Sequence, residues 1–238
     1  MVNSILPLEL QEVVVAKRGR RIVGPVTYTL AGAGTTIVIG PNGSGKTTLL
    51  RMMHGLERTS EGRLRWAQAF NAASERQSFV FQSPIIMRRS VLDNLAYPLT
   101  LAGKSRKEAN EAAARWAAKV GLASRLQQNA SRLSGGEKQK LALARALIRE
   151  PDVLFLDEPC ANLDGKATRV IEGVLQDAKS NGTRLVMSTH DMGQARRLAD
   201  DVIFMLGGQI HECAPAQDFF NSPATPETEQ FLRGDIVE

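Results

Sequence analysis

Two spacings of apolar residues alternate along the chain. Mainly apolar runs recur at 36–39, 153–156, 184–189 and 202–206, and 153–156 is apolar at every position. A run with no polar alternation predicts a strand covered on both faces, as in a parallel sheet. Between such runs, residues 48–53, 138–149 and 167–179 follow the three- and four-residue spacing of amphipathic helices. Strand and helix taking turns predicts an α/β fold around a mostly parallel sheet.

Two stretches break that rhythm. Residues 5–39 read as short strands at 6–15, 22–23 and 26–30, with a basic turn at Gly19 and breaks at Gly32 and Gly34. They predict a small antiparallel sheet beside the core. Residues 83–131 read as a helical insert. Ser105 and Glu108 have capping-box spacing, and Ala109, Ala112, Ala113, Trp116 and Val120 share one helical face. A second capping box, Ser134 and Glu137, opens the next helix, and Pro151 stops it. Residues 63–66 and 78–81 are candidate strands, with Gln82 at the end of the second. Residues 202–206 and 209–212 pair around Gly207 and Gly208. A short helix is predicted near 227–232. His54 reads as a helix-end residue near the dipole, and His211 as inert.

Composition narrows the classes. The chain has 238 residues, 43% hydrophobic, a net charge of +5 and a pI near 9.5. No run approaches the ~20 apolar residues of a membrane span. The start, residues 1–7, lacks the basic-then-apolar pattern of a secretory leader. The basic residues are dispersed and aromatics are only 5%, which argues against nucleic acid as a partner. Cys160 and Cys213 have no metal spacing and read as inert thiols in a reducing compartment.

Chemistry concentrates at three places. After the run 36–39 come Gly40, Pro41, Asn42, Gly43, Ser44, Gly45, Lys46, Thr47 and Thr48. Strand, glycine loop, helix with Lys-Thr is the phosphate-binding loop pattern. Gly43 and Gly45 let the backbone curl round an anion, and the helix start offers free N–H groups. Lys46 is placed for terminal phosphates and the Thr47 hydroxyl for Mg²⁺. Ser134, Gly135 and Gly136 form a second helix start of the same anion-binding kind. Asp157 and Glu158 end one apolar run and His190 follows another. Strand carboxyl ends in parallel sheets carry the ligand edge, which brings these residues beside Lys46.

Taken together, residues 40–47, Gln82, 133–137, 154–159, 161–164 and His190 resemble the ATP-binding cassette ATPases, over essentially the whole chain. The resemblance implies a single ABC ATPase domain over 1–238: a P-loop NTPase core, an N-terminal antiparallel β subdomain, and an α-helical subdomain inserted at about 83–150. It implies that Asp157 holds Mg²⁺ through water, that Glu158 is the general base, and that Gln82 contacts Mg²⁺ and the attacking water. His190 would bridge the γ-phosphate and the catalytic carboxylate. Ser134, Gly135 and Gly136 would grip the ATP bound by a second copy in a head-to-tail dimer, with Asp164 signalling across that interface. Where family members place an adenine-stacking aromatic near position 17, this chain has Lys17 and Arg18, and Tyr28 lies too late. One cassette without a span resembles an importer subunit on the cytoplasmic face of the membrane. It would dock on a separate permease through 84–95 and be served by an extracytoplasmic solute-binding protein. Residues 79–99 and 188–200 and the Phe219, Phe220 tail are similar to tungstate-type oxyanion importers. Phosphate, molybdate or polar amino-acid import, or an assembly-type cassette, are the alternatives.

Overall fold

The computed structural model describes residues 4–237, so the first three residues of the leader reading fall outside it. In chain order the elements are β1 (Leu8–Lys17), β2 (Arg20–Leu30), β3 (Thr35–Ile39), α1 (Lys46–His54), β4 (Glu61–Trp66), α2 (Phe70–Glu75) and β5 (Gln77–Val80). Then follow α3 (Val91–Leu101), α4 (Arg106–Lys119), α5 (Gly135–Leu147), β6 (Val153–Asp157), α6 (Gly165–Ser180) and β7 (Arg184–Ser188). The chain closes with α7 (Met192–Leu198), β8 (Asp201–Leu206), β9 (Gln209–Pro215), α8 (Ala216–Asn221) and α9 (Pro226–Arg233).

The main sheet has six strands in the order β5-β6-β7-β3-β8-β9, parallel except for β9. The inner strands β3, β6, β7 and β8 are apolar along their middles because each feeds two cores. Ile37, Leu154, Leu156, Leu185, Met187, Val202 and Phe204 face the core shared with α3 to α7. Val38, Val153, Phe155, Val186, Ile203 and Met205 face the core shared with α1 and the β subdomain. Alternate side chains of a strand point to opposite faces, so a strand between two cores is apolar along its middle and keeps its polar residues, such as Asp157, Arg184 and Ser188, at its ends.

The second sheet, β2-β1-β4, is antiparallel. The two short strands expected at 22–23 and 26–30 are one strand. Gly24 and Pro25 make no turn there; Gly24 lies against the Val13 backbone, where a Cβ would meet the Val13 oxygen at 2.3 Å, and its N–H donates to Gly208 O at 2.8 Å. The insert is helical as expected: α3, α4 and α5 lie between β5 and β6. Both capping boxes are closed, at Ser105 with Glu108 and at Ser134 with Glu137. Helices α2 and α7 were not expected from the pattern.

Candidate active site

The site begins where β3 ends. The chain turns through 40–45 into α1 with positive φ at Gly40 (147°), Gly43 (82°) and Gly45 (101°). Two of these glycines also lack room for a side chain. A Cβ on Gly40 would lie 2.2 Å from the Met205 carbonyl oxygen on β8, and one on Gly45 would lie 2.6 Å from Val23 Cγ2 on β2. The loop is thus wedged between the main sheet and the β subdomain. The Ser44 hydroxyl is buried with no hydrogen-bond partner among the described residues. Lys46 folds back to donate to Gly40 O at 2.8 Å and Pro41 O at 3.0 Å. Burial pushes its pKa below the ordinary lysine value, against the pull of Glu158 and Asp157. A cradle that holds an orphaned hydroxyl and a buried ammonium fits a bound polyanion.

The strand ends supply acid and oxygen. Thr47, in the first turn of α1, donates to Asp157 Oδ1 at 2.9 Å. Ser188, at the end of β7, donates to the same oxygen at 2.9 Å and accepts from Glu158 N–H at 3.1 Å. Glu158 has φ 46°. Its Oε2 accepts from Gln82 Nε2 at 2.9 Å and lies 3.3 Å from His190 Nδ1. Parallel pairing of β5 with β6, Val80 opposite Leu156, sets Gln82 beside Glu158. Hydroxyl, carboxylate and amide oxygens are the hard donors Mg²⁺ takes, so Thr47, Asp157 and Gln82 fit that ion.

A second cluster forms elsewhere. Ser134 caps α5, accepting from Glu137 N–H at 3.3 Å while its own N–H donates to Glu137 Oε2 at 2.9 Å. Open space surrounds Gly135, and a Cβ on Gly136 would touch Leu163 and Ala167 at 3.5 and 3.6 Å. Asp164 caps α6 by accepting from Ala167 N–H at 2.7 Å. Ser134, Gly135, Gly136 and Asp164 therefore share one surface. Among the described residues, no hydrogen bond or ion pair joins them to the loop 40–48.

A family model described as ABC transporter matches residues 23–161, which takes in the glycine loop, Gln82, the capped Ser134 and both strand-end carboxylates. The chain belongs to the ABC transporter family. It is an ABC ATPase, a subunit that binds and hydrolyses ATP. It is 36% identical to "Phosphate import ATP-binding protein PstB 2" of Natronomonas pharaonis, over 92% of this chain and 84% of that protein. It is 37% identical to "Tungstate uptake system ATP-binding protein TupC" of Peptoclostridium acidaminophilum, over 85% of this chain and 94% of that protein. A solved "Structure of ATP binding subunit of ABC transporter" shares the fold, with a TM-score of 0.83 at 21% identity, covering 96% of this chain and all of that one.

Other features of this ABC ATPase depart from the pattern reading. Ser188 was missed: it looked like one more strand residue, and only its position one strand over from Asp157 reveals it. Of the two cations near the missing aromatic, Lys17 is committed to Glu57 at 2.6 Å. Tyr28 sits on β2, where burial raises its pKa to about 12. Only part of the stretch 84–95 is exposed. Val91, Asn94 and Leu95 face the core and are fully buried, as the inner positions of an amphipathic helix. The exposed apolar residues are Ile85 (66%), Tyr97 (38%) and Leu101 (70%), around a groove of about 400 Å³ between β5, α3 and α5. Burial holds the Cys160 thiol above the ordinary cysteine pKa, at about 11. No helix of the described residues is long and apolar enough to cross a membrane.

Proposed function

We propose that this chain powers an importer for a small oxyanion, tungstate first among the candidates. It acts as one ATPase domain over 1–238, with the helical subdomain of about 83–150 inserted in the nucleotide-binding core. Two copies work head to tail on the cytoplasmic face of the membrane, docked on an integral permease that receives solute from an extracytoplasmic binding protein. The observation that carries the hydrolytic part is the convergence of Gln82 and His190 on one oxygen of Glu158.

The residues divide the work. The backbone of 40–45 with Ser44 cradles the phosphates, Lys46 turns from its loop carbonyls to the terminal ones, and Thr48 lines the helix start. Thr47 and Gln82, with Asp157 through water, would hold Mg²⁺, and the ion would supply charge neutralisation at the phosphates. Glu158 accepts a proton from the attacking water and Gln82 orients that water. His190 holds the Glu158 carboxylate and meets the γ-phosphate. Ser134, Gly135 and Gly136 of the second copy close over the same nucleotide, and Asp164 lies beside them. The cluster at 134–136 has no bond to its own phosphate loop, which supports its use in trans. The groove around Ile85, Tyr97 and Leu101 adjoins Phe81, the residue before Gln82, and so suits the permease contact.

The oxyanion assignment rests on the near-full-length likeness to relatives named for phosphate and tungstate. The test is ATP hydrolysis by the assembled complex with binding protein loaded with tungstate, molybdate, phosphate or a polar amino acid. The expected result is strongest stimulation by tungstate. Stimulation by the amino-acid-loaded protein alone rejects an oxyanion cargo.

A further inference from the structure

We infer that Ser188 is a positioning residue for hydrolysis, one buried hydroxyl that sets both Asp157 and Glu158. Ser188 is wholly buried at the carboxyl end of β7. Its O–H donates to Asp157 Oδ1 at 2.9 Å, and its oxygen accepts from Glu158 N–H at 3.1 Å. The same Glu158 N–H also reaches the Ser188 carbonyl at 3.2 Å. Both polar ends of one side chain are thus spent on two adjacent residues of the site.

Each bond has a separate task. Asp157 Oδ1 takes two donors, Thr47 Oγ1 and Ser188 Oγ, both at 2.9 Å. Mg²⁺ would take a lone pair of the Thr47 hydroxyl and leave its O–H to donate, so Thr47 and Ser188 fix the carboxylate from two sides. The second bond reaches a residue in the left-handed region, with φ 46°. A residue with a Cβ resists that region by about 1–2 kcal/mol and stays there only where neighbours hold it. The Ser188 hydroxyl is one such neighbour. Through it a run of bonds connects Thr47, Asp157, Ser188 and the Glu158 backbone, so the phosphate-side helix and the base share one reference point.

The inference rests on the roles proposed for Asp157 and Glu158, and the experiment separates the two. Ser188→Ala, Ser188→Cys and Ser188→Thr are made in the full chain, with Glu158→Gln as the control. Steady-state ATP hydrolysis gives kcat, KM and the Mg²⁺ half-saturation. Equilibrium ATP binding with and without Mg²⁺, in the Glu158→Gln background, gives a readout independent of turnover. Ser188→Ala is expected to lower kcat by about tenfold or more and to raise the Mg²⁺ half-saturation severalfold, with Mg²⁺-free ATP affinity within about twofold. Ser188→Cys fills the same space with a weak donor and is expected to match alanine, which keeps the test sharp if alanine perturbs folding. Ser188→Thr retains the hydroxyl and is expected to recover most of the rate. Parent-like kcat and Mg²⁺ dependence in the alanine or cysteine protein overturns the inference, as does a threonine protein no better than alanine. Ordinary turnover by Glu158→Gln instead sinks the base assignment, whatever Ser188 does.

Discussion

His54 shows how far burial moves a single side chain. As the last residue of α1 it sits where the helix dipole favours a charged imidazole. Its ring instead packs edge-on against Phe79 and Phe155, at 5.5 and 5.7 Å, and burial lowers its pKa from 6.5 to about 4. Desolvation therefore outweighs the dipole. The unfolded chain takes up a proton below pH 6.5, and the folded chain does so only near 4. The stability gained from the neutral ring is complete above pH 6.5 and is lost between 6.5 and 4. A shift of that size corresponds to roughly 3 kcal/mol at most. Thermal melts across this range should show the fall in Tm, and His54→Phe should flatten it. A second residue-scale expectation concerns the base. With Lys17 tied to Glu57, Arg18 is the cation left to stack on a purine, by a contact worth about 0.5–2 kcal/mol. A guanidinium reads little of the ring's edge, so ATP and GTP should compete within about tenfold in equilibrium binding. A much larger preference for ATP would remove Arg18 from that role.

At the scale of elements, legibility followed the start signals. α4 and α5 begin with closed capping boxes and were readable from Ser105 and Ser134. α2 begins at Ala69 with no side-chain cap, so nothing in the sequence marks it. α7 is capped by Asp191, which accepts from Gln194 N–H at 2.9 Å, but Gly193 in its first turn hides the helical spacing. The site was readable where chemistry and position coincide, as at Lys46, Asp157 and Glu158. Ser188 was not, because its role comes from the β6–β7 register rather than from its neighbours in sequence. The register of α3 likewise divides the docking stretch into a core face and an outer face. Ile85→Asp should therefore leave ATP binding intact and abolish co-purification with the permease. Retained assembly would assign the groove elsewhere. Ser134→Ala should cost about 1 kcal/mol through the lost cap, read in a melt, and should cut turnover far more than that loss of stability explains.

For the molecule as a whole, the two clusters set the unit of function. In the proposed head-to-tail pair, the phosphate cradle and the capped serine surface would each offer half of an anion site, from separate parts of one chain. Glu158→Gln should bind ATP, run as a dimer in size exclusion only when nucleotide is present, and stall. If Ser134→Ala leaves that dimer and its turnover untouched, the paired site is wrong.

The close approach of Gly40 to the Met205 carbonyl also bears on how the protein is made. The strand that carries the cradle, β3, is hydrogen-bonded between β7 and β8, both of which are synthesised long after it. A nascent chain that has emerged only through α6 thus holds an intact motif without either strand that pairs with β3. Nucleotide should first be retained on ribosome-bound chains once residue 206 has cleared the tunnel, and arrested chains of graded length would reveal that threshold.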